Sequence, residues 1–175
     1  MPPFKHYQAH RLRYFSYASP ATWFVTINTW ERQKIFGAIS NGEMQLSDWG
    51  KIVAEEWLKS AEIRKEVLLG EFVVMPDHFH AIITIQPEDV QQPRWLPGMK
   101  EQPPPRGPSP KSLGALIAGF KSIVTIRINN LRQSKTPPVW QKNYYDRIIR
   151  SADALQNITM YIRQNPANFR SQSES

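Results

Sequence analysis

Residues 67–85 read VLLGEFVVMPDHFHAIITI, and this stretch decides the fold. Its two halves, 67–75 and 79–85, are apolar and rich in β-branched residues, and Pro76 and Asp77 interrupt them. This pattern predicts two paired or consecutive strands. The run TWFVTINT at 22–29 has the same β-branched and aromatic character with alternating polarity, so it predicts a further strand.

Helical periodicity predicts three helices around these strands. The first is capped by Ser47 or Asp48 and continues to about Arg64. Its apolar stripe consists of Trp49, Ile52, Val53 and Trp57. The Asn41-Gly42 pair that precedes this helix marks a turn.

The other two helices lie in the last third of the chain. Ser112 caps one of them, and Pro137-Pro138 ends its run. Its predicted buried stripe consists of Leu113, Leu116, Ile117, Phe120, Val124, Ile128 and Leu131. The last helix starts at Ser151 and Asp153 and is expected to stop at Asn165-Pro166, and the segment 139–150 between the two is predicted to be extended. These elements predict an α+β fold, a mostly antiparallel β-sheet flanked by α-helices.

Residues 86–112 differ in composition from the rest of the chain. They contain eight of its 15 prolines, and proline removes backbone donors that a helix or a central strand needs. We expect a long inserted loop here. The pieces on either side would each be marginal as separate folding units, so we expect a single domain spanning residues 1–175.

Composition excludes several classes of protein. The chain has 175 residues and no cysteine, which removes disulfide scaffolds, thiolate zinc sites and cysteine nucleophiles. No apolar run approaches the roughly 18 residues of a membrane span, and the first residues lack the apolar core of a secretion signal. We therefore expect a cytoplasmic protein with no membrane partner and no processing.

The net charge of +7 is concentrated towards one end of the chain. Residues 111–175 contain ten Lys and Arg against three Asp and Glu, whereas the positive and negative charges of residues 1–110 cancel. A basic segment within a folded domain is typical of a protein that binds phosphate backbones. A surface that only keeps the protein soluble would have the same composition, so charge alone leaves both interpretations open.

His78 and His80 are the first candidates for chemistry. Residues i and i+2 of a strand project to one face, so both imidazoles can reach one divalent cation while Phe79 packs on the opposite face. Imidazole suits several metals, and the pair does not name the ion. The alternative is two histidines satisfied separately by backbone or water, although an interior strand is a costly place for two polar rings without a ligand.

Tyr161 and Asn165 form a second candidate pair. Four residues apart on a helix, they lie on one face, so a phenol and an amide oxygen can meet one ion or one phosphate. The alternative is a tyrosine that packs on the core and an asparagine favoured at the helix end before Pro166.

The segment 139–150 mixes aromatic and cationic residues. Aromatic faces stack on unpaired bases and cations follow the backbone, which suits single-stranded nucleic acid. A strand that alternates core aromatics with solvated cations would give the same pattern. Together with cations of the preceding helix, the candidate DNA-binding residues are Lys121, Arg127, Arg132, Trp140, Lys142, Tyr144, Arg147 and Arg150.

Four blocks of this sequence, taken in order, resemble the REP-associated tyrosine transposases. They are MPDHFH at 75–80, GFKS at 119–122, VWQKNYYDRIIR at 139–150 and YIRQNP at 161–166. These transposases belong to the single-tyrosine (Y1), HUH-type nucleases, which act on single-stranded DNA. The resemblance extends over residues 23–169, and it implies the ferredoxin-like or RRM-like palm of HUH nucleases, with both histidines on a central strand.

The resemblance also implies roles for individual residues. His78, His80 and Asn165 would hold a divalent metal ion, Mg²⁺ or Mn²⁺, and Tyr161 would be the nucleophile. The protein would cut hairpin-forming single-stranded DNA through a 5′-phosphotyrosine, leave a 3′-hydroxyl and rejoin strands by the reverse step. The family often has Asn where this chain has Asp77, which adds a carboxylate beside the site.

Two other functions stay open at this stage. A protein with this fold could bind structured single-stranded nucleic acid without cutting it. A metallohydrolase could use the histidines to activate water, with Tyr161 only positioning the substrate. Whether the protein is a monomer or a homodimer is likewise left open by the sequence.

Overall fold

The computed structural model describes residues 21–86, 108 and 110–169. Six strands and three α-helices follow one another along this part of the chain. Their bounds are β1 Ala21–Asn28, β2 Gly37–Ser40, β3 Glu43–Leu46, α1 Asp48–Ile63, β4 Val67–Met75, β5 His78–Ile85, α2 Leu113–Arg132, β6 Tyr145–Ile149 and α3 Ala152–Asn168.

Four of the strands form one antiparallel sheet in the order β4-β5-β1-β6. The hairpin β4–β5 turns at Pro76 and Asp77, and Met75 pairs with His78. β1 then pairs with the other side of β5, which makes β5 an inner strand. The predicted α+β fold, an antiparallel sheet with flanking helices, is confirmed.

The larger part of the core lies between the sheet and helices α1 and α2. Trp57 of α1 is fully buried, and its ring centroid lies 4.9 Å from that of Phe79 in β5 and 5.0 Å from that of Phe120 in α2. Aromatic contacts of this kind add to the stabilisation from burial alone. This core fixes the strand that carries both histidines.

Helix α3 packs on the opposite face of the sheet. Ile158 and Ile162 of this helix form a cluster with Ile82 of β5 and Ile149 of β6. Because side chains of a strand alternate between faces, Ile82 shares its face with His78 and His80, whereas Phe79 faces α1 and α2. α3 therefore lies over the same face of the sheet as the histidines.

The hairpin β2–β3 lies next to the C-terminal end of α3. It turns at Asn41 and Gly42, and this turn was predicted, whereas its two short strands were not predicted. Gly42 has a φ of +77°, which a residue with a Cβ rarely adopts, and a Cβ there would lie 3.7 Å from Cα of Ala167. The turn is thus in contact distance of the last turn of α3.

The structure changes several predicted element boundaries. α3 does not stop at Asn165-Pro166 but continues through Pro166 to Asn168. Proline lacks a backbone N–H, but here that affects only the last turn of the helix. This turn closes with the backbone N–H of Phe169 donating to the Pro166 carbonyl. α2 ends at Arg132 before the predicted prolines, with Gln133 in a left-handed conformation. Leu131, predicted to be buried, is 56% exposed. Within 139–150 only Tyr145–Ile149 is a strand.

Two predictions concern parts of the chain that lie largely outside the described residues. Most of the proline-rich segment 86–112 lies outside the described residues, so the inserted loop and the single domain over residues 1–175 stay predictions. Within the described ranges, no helix has the length and apolarity that crossing a membrane requires.

The α3 cluster is small, so a single truncation should weaken it measurably. Ile162 is fully buried, and Ile162→Ala should lower the free energy of unfolding by about 2–5 kcal/mol in urea denaturation. Met160 on the same helix is 49% exposed, so Met160→Ala should change it by no more than about 0.5 kcal/mol. Equal losses in the two variants would contradict the packing described for α3.

Candidate active site

His78 and His80 lie side by side on the inner strand β5. Both are buried, at 6% and 5% exposure, and their ring centroids are 4.5 Å apart. Two buried polar rings are costly unless each finds hydrogen-bond partners. The surroundings of each ring therefore decide what the pair can do.

His80 is held by the neighbouring strand. Its Nδ1 lies 2.8 Å from Oγ1 of Thr26, the residue directly opposite it on β1. Burial holds the pKa of His80 well below its ordinary value, and the nearby His78 lowers it further. At neutral pH the ring is neutral, and with Nδ1 directed at Thr26 its Nε2 is the nitrogen that can bind a ligand.

His78 is held by a carboxylate. Its Nδ1 lies 2.5 Å from Oδ1 of Asp77, and the other carboxylate oxygen of Asp77 lies 3.1 Å from Nε of Arg32. Burial by itself would raise the pKa of Asp77, but the hydrogen bond and charge of His78 and the charge of Arg32 outweigh it, so the pKa lies below the ordinary value. Asp77 is then an ionised acceptor, and His78 also presents Nε2.

Helix α3 brings Tyr161 to these rings. The phenolic oxygen lies 3.5 Å from Nε2 of His80, 81 positions away in the chain. The Tyr161 ring also meets Phe24 edge-on, at 6.1 Å between centroids, and Phe24 packs on His80. The hydroxyl is thereby placed on the ligand-binding side of His80 by the same chain.

Asn165 follows one helical turn after Tyr161 and is half-buried. Among the described residues, no group of three His, Cys, Asp or Glu side chains is placed to hold a metal ion. Two imidazoles whose Nδ1 atoms are held, together with the amide of Asn165 one helical turn after Tyr161, are donor types that suit a divalent cation. The residues present therefore fit the metal that the sequence predicts.

The candidate DNA-binding residues fall into separate groups. Arg147 of β6 pairs with Phe24 of β1, so it lies on the histidine face of the sheet, and it is exposed, as is Arg150 just after the strand. Lys121, Lys142 and Tyr144 instead line a groove of about 1010 Å³ between α2 and the segment leading into β6. The Nζ of Lys121 donates to the Gln141 carbonyl at 2.6 Å and to the Lys142 carbonyl at 3.1 Å.

Three of these candidates have structural roles in the fold. Trp140 is 6% exposed and packs against Phe36 and Phe120, so its ring is not available to stack on a base. Arg127 forms ion pairs with carboxylates of α1, and Arg132 lies over the Trp49 ring of that helix. Both arginines link α2 to α1, and these two helices lie on the face of the sheet away from the histidines.

Sequence reasoning placed the Asp77 carboxylate beside the site but missed Thr26, which contacts His80, and Arg32, which contacts Asp77. Thr26 could have been found by assuming that β1 pairs with β5, because its β-branched polar side chain then lies on the histidine face. No hydrophobic periodicity around Arg32 predicts its position next to Asp77. It lies in a short 3-10 turn, with Glu31 and Arg32 both in left-handed conformations, at φ of 51° and 56°.

Comparisons with known proteins give one relative in sequence and support for the fold. No protein-family model matches the chain. An uncharacterized protein of Haemophilus influenzae is 36% identical over 163 residues, which are 92% of this chain and 88% of that protein.

The comparison with solved structures gives a match in fold and a weaker match. The structure of a REP-associated tyrosine transposase bound to a REP hairpin matches with a TM-score of 0.59 at 18% identity, over 91% of this chain and 73% of that one. A structure from Deinococcus radiodurans covers 93% of this chain and 96% of its own at 12% identity, with a TM-score of 0.48 that is too low to establish a shared fold.

The buried environment of Lys121 predicts a pH dependence of stability. Burial lowers the pKa of Lys121 from its ordinary 10.5 to about 8, so between these two values the unfolded chain holds a proton that the folded chain has released. Stability contributed at this position must therefore rise with pH across that window. Relative to Lys121→Met, the wild-type protein should become more stable from pH about 8 to about 10 in urea denaturation. A difference that stays constant or shrinks would contradict this assignment.

Proposed function

We propose that this chain, which belongs to the same family as the Haemophilus influenzae protein, is a metal-dependent nuclease and strand transferase of the HUH type. It would cut single-stranded DNA through a covalent link to Tyr161. The observation that carries the proposal is the 3.5 Å approach of the Tyr161 hydroxyl to Nε2 of His80. A nucleophile, two metal-binding nitrogens and an exposed basic edge then meet on one face of one chain.

Tyr161 would act as the nucleophile. Its phenolic oxygen attacks the phosphorus of the scissile phosphodiester and the P–O3′ bond breaks, so the tyrosine becomes linked to the 5′-phosphate. The phenolic proton passes to water, and the departing 3′ oxygen takes up a proton from water. Because the ester bond is exchanged and not hydrolysed, a 3′-hydroxyl can attack the linkage and restore the phosphodiester without a nucleotide cofactor.

His78, His80 and Asn165 would hold the divalent ion, Mg²⁺ or Mn²⁺. Bound there, the ion would polarise the phosphodiester and stabilise the charge that develops at phosphorus. The chain's contribution is to fix the donors. Thr26 and Asp77 occupy the Nδ1 atoms, which leaves the two Nε2 atoms to bind a ligand, and Nε2 of His80 is the one that faces Tyr161.

The DNA strand would pass along the open edge of β6. Arg147 on β6 and Arg150 just after it are both exposed there, and Arg147 lies on the histidine face of the sheet. The similar structure that holds a REP hairpin supports hairpin-forming DNA as the substrate class. We therefore propose structured single-stranded DNA with an unpaired flank as the partner.

The tyrosine linkage can be tested by trapping it. With Mn²⁺, the wild-type protein should form a denaturation-resistant adduct with hairpin oligonucleotides whose single-stranded flanks are randomised. The label should stay with the protein when it is at the 3′ end of the DNA and leave with the free fragment when it is at the 5′ end. Tyr161→Phe should abolish the adduct but retain DNA binding, because it removes only the hydroxyl.

Tyr145→Phe is the matched control, since Tyr145 is an exposed tyrosine on the same face of the sheet. It should form the adduct as the wild type does. An adduct that persists in Tyr161→Phe moves the nucleophile elsewhere. Cleaved DNA without any adduct in the wild type would favour a water-activating hydrolase, and binding without cleavage would favour a non-catalytic binding protein.

Removing either imidazole should stop cleavage at the metal step. His78→Ala and His80→Ala should each reduce adduct formation to the level that the wild-type protein shows without added Mn²⁺, because two ligands are too few to retain the ion. Unchanged metal-dependent rates in both variants would contradict the assigned ligands. Circular dichroism of both variants shows whether the sheet remains folded.

A further inference from the structure

Arg32 is the feature that the proposed reaction leaves without a role. Its side chain is 45% exposed, yet the guanidinium contacts two residues of the site, with Nε 3.1 Å from Oδ2 of Asp77 and Nη1 2.6 Å from Oδ1 of Asn28. Asn28 is the residue opposite His78 on β1. The arginine therefore connects the two residues that flank His78 in the sheet.

The backbone around Arg32 is shaped to make these contacts. Glu31 and Arg32 both adopt left-handed conformations, which are disfavoured for residues with a Cβ. Thr29 holds the start of the turn, since its backbone N–H and its hydroxyl both donate to the Asp77 carbonyl, at 3.0 and 2.9 Å. The turn and the backbone of Asp77 are thus fixed to each other independently of the arginine side chain.

The two carboxylate oxygens of Asp77 have different partners. One faces Nδ1 of His78 and the other faces Arg32, so the carboxylate plane cannot rotate without losing an ion pair. The carboxylate side chain is only 9% exposed, so water cannot readily replace the arginine. Without Arg32, His78 would be the remaining side chain among the described residues that orients the Asp77 carboxylate.

We infer that Arg32 is a positioning residue that acts on His78 through Asp77. By fixing the carboxylate, it holds the His78 proton on Nδ1 and keeps the Nε2 lone pair available to a metal ion. This inference rests on the proposed metal role of His78. It assigns to Arg32 no contact with DNA and no part in the transfer of the phosphate.

The first test is spectroscopic and needs no metal. The protein has four histidines, so ¹⁵N labelling of histidine and a His78→Gln reference assign the His78 signals. Wild-type protein should show His78 protonated on Nδ1, and Arg32→Gln should show a mixture of the two tautomers. Lys34→Gln is the matched control, because it removes an exposed positive charge two residues away and should leave the tautomer unchanged.

The second test measures the affinity for Mn²⁺ alone by calorimetric titration. Arg32→Gln should weaken binding by about 10–100-fold, the loss typical when the partner that orients a ligand is removed. In an Asp77→Asn background, adding Arg32→Gln should cost less than about twofold, because no charged carboxylate remains to be oriented. If Arg32→Gln does not fold, the same titration is made with Arg32→Lys, which should bind Mn²⁺ more weakly than the wild type.

Retention of the Nδ1 tautomer and of wild-type affinity in Arg32→Gln would overturn the inference, as would equal losses with and without the Asp77→Asn substitution. Wild-type affinity in a folded Arg32→Lys variant would do the same. Failure of the proposed function is distinguishable, since a wild-type protein that forms no DNA adduct can still show the tautomer shift. A protein that cuts DNA while Arg32→Gln changes neither readout would lose only the positioning role.

Discussion

Two imidazoles buried on an inner strand impose the main constraint on this structure. A polar ring inside a sheet must have its hydrogen-bonding atoms satisfied, and each Nδ1 here has a partner from a different element. Thr26 serves His80 from the neighbouring strand, and Asp77 serves His78 from the hairpin turn. The Nε2 atoms are left on the side where α3 lies, which is why the placement of that helix determines whether the histidines are structural or chemical.

The two faces of the sheet carry different kinds of side chain. Trp57, Phe79 and Phe120 form the larger core on one side, and the arginines that bind α2 to α1 are on that side too. The histidine face is covered by a thinner cluster of isoleucines, which leaves room for polar side chains next to it. The proposed site and the larger hydrophobic cluster therefore lie on opposite faces of one sheet.

Local periodicity was enough to predict the main strands, the helices and the common face of His78 and His80, because a strand's alternation depends only on neighbouring residues. It was not enough to place the hydroxyl of Tyr161, which depends on how α3 docks on a strand 81 positions earlier. The resemblance to a known family supplied that expectation. For Trp140, local sequence gave the wrong expectation. Its neighbours are equally typical of a base-stacking residue and of a core residue, and an isolated β-bridge to Thr29 places it in the core.

The contact between the Gly42 turn and Ala167 has a consequence for variation in this chain. A methyl group at residue 42 would lie in ordinary van der Waals contact with Ala167, so a longer side chain directed at the helix would press on the end of the element that carries Tyr161 and Asn165. The surface hairpin is in this way a neighbour of the helix that carries the proposed nucleophile. Length changes at the tip of the β2–β3 hairpin should consequently be less well tolerated than its exposure alone would imply.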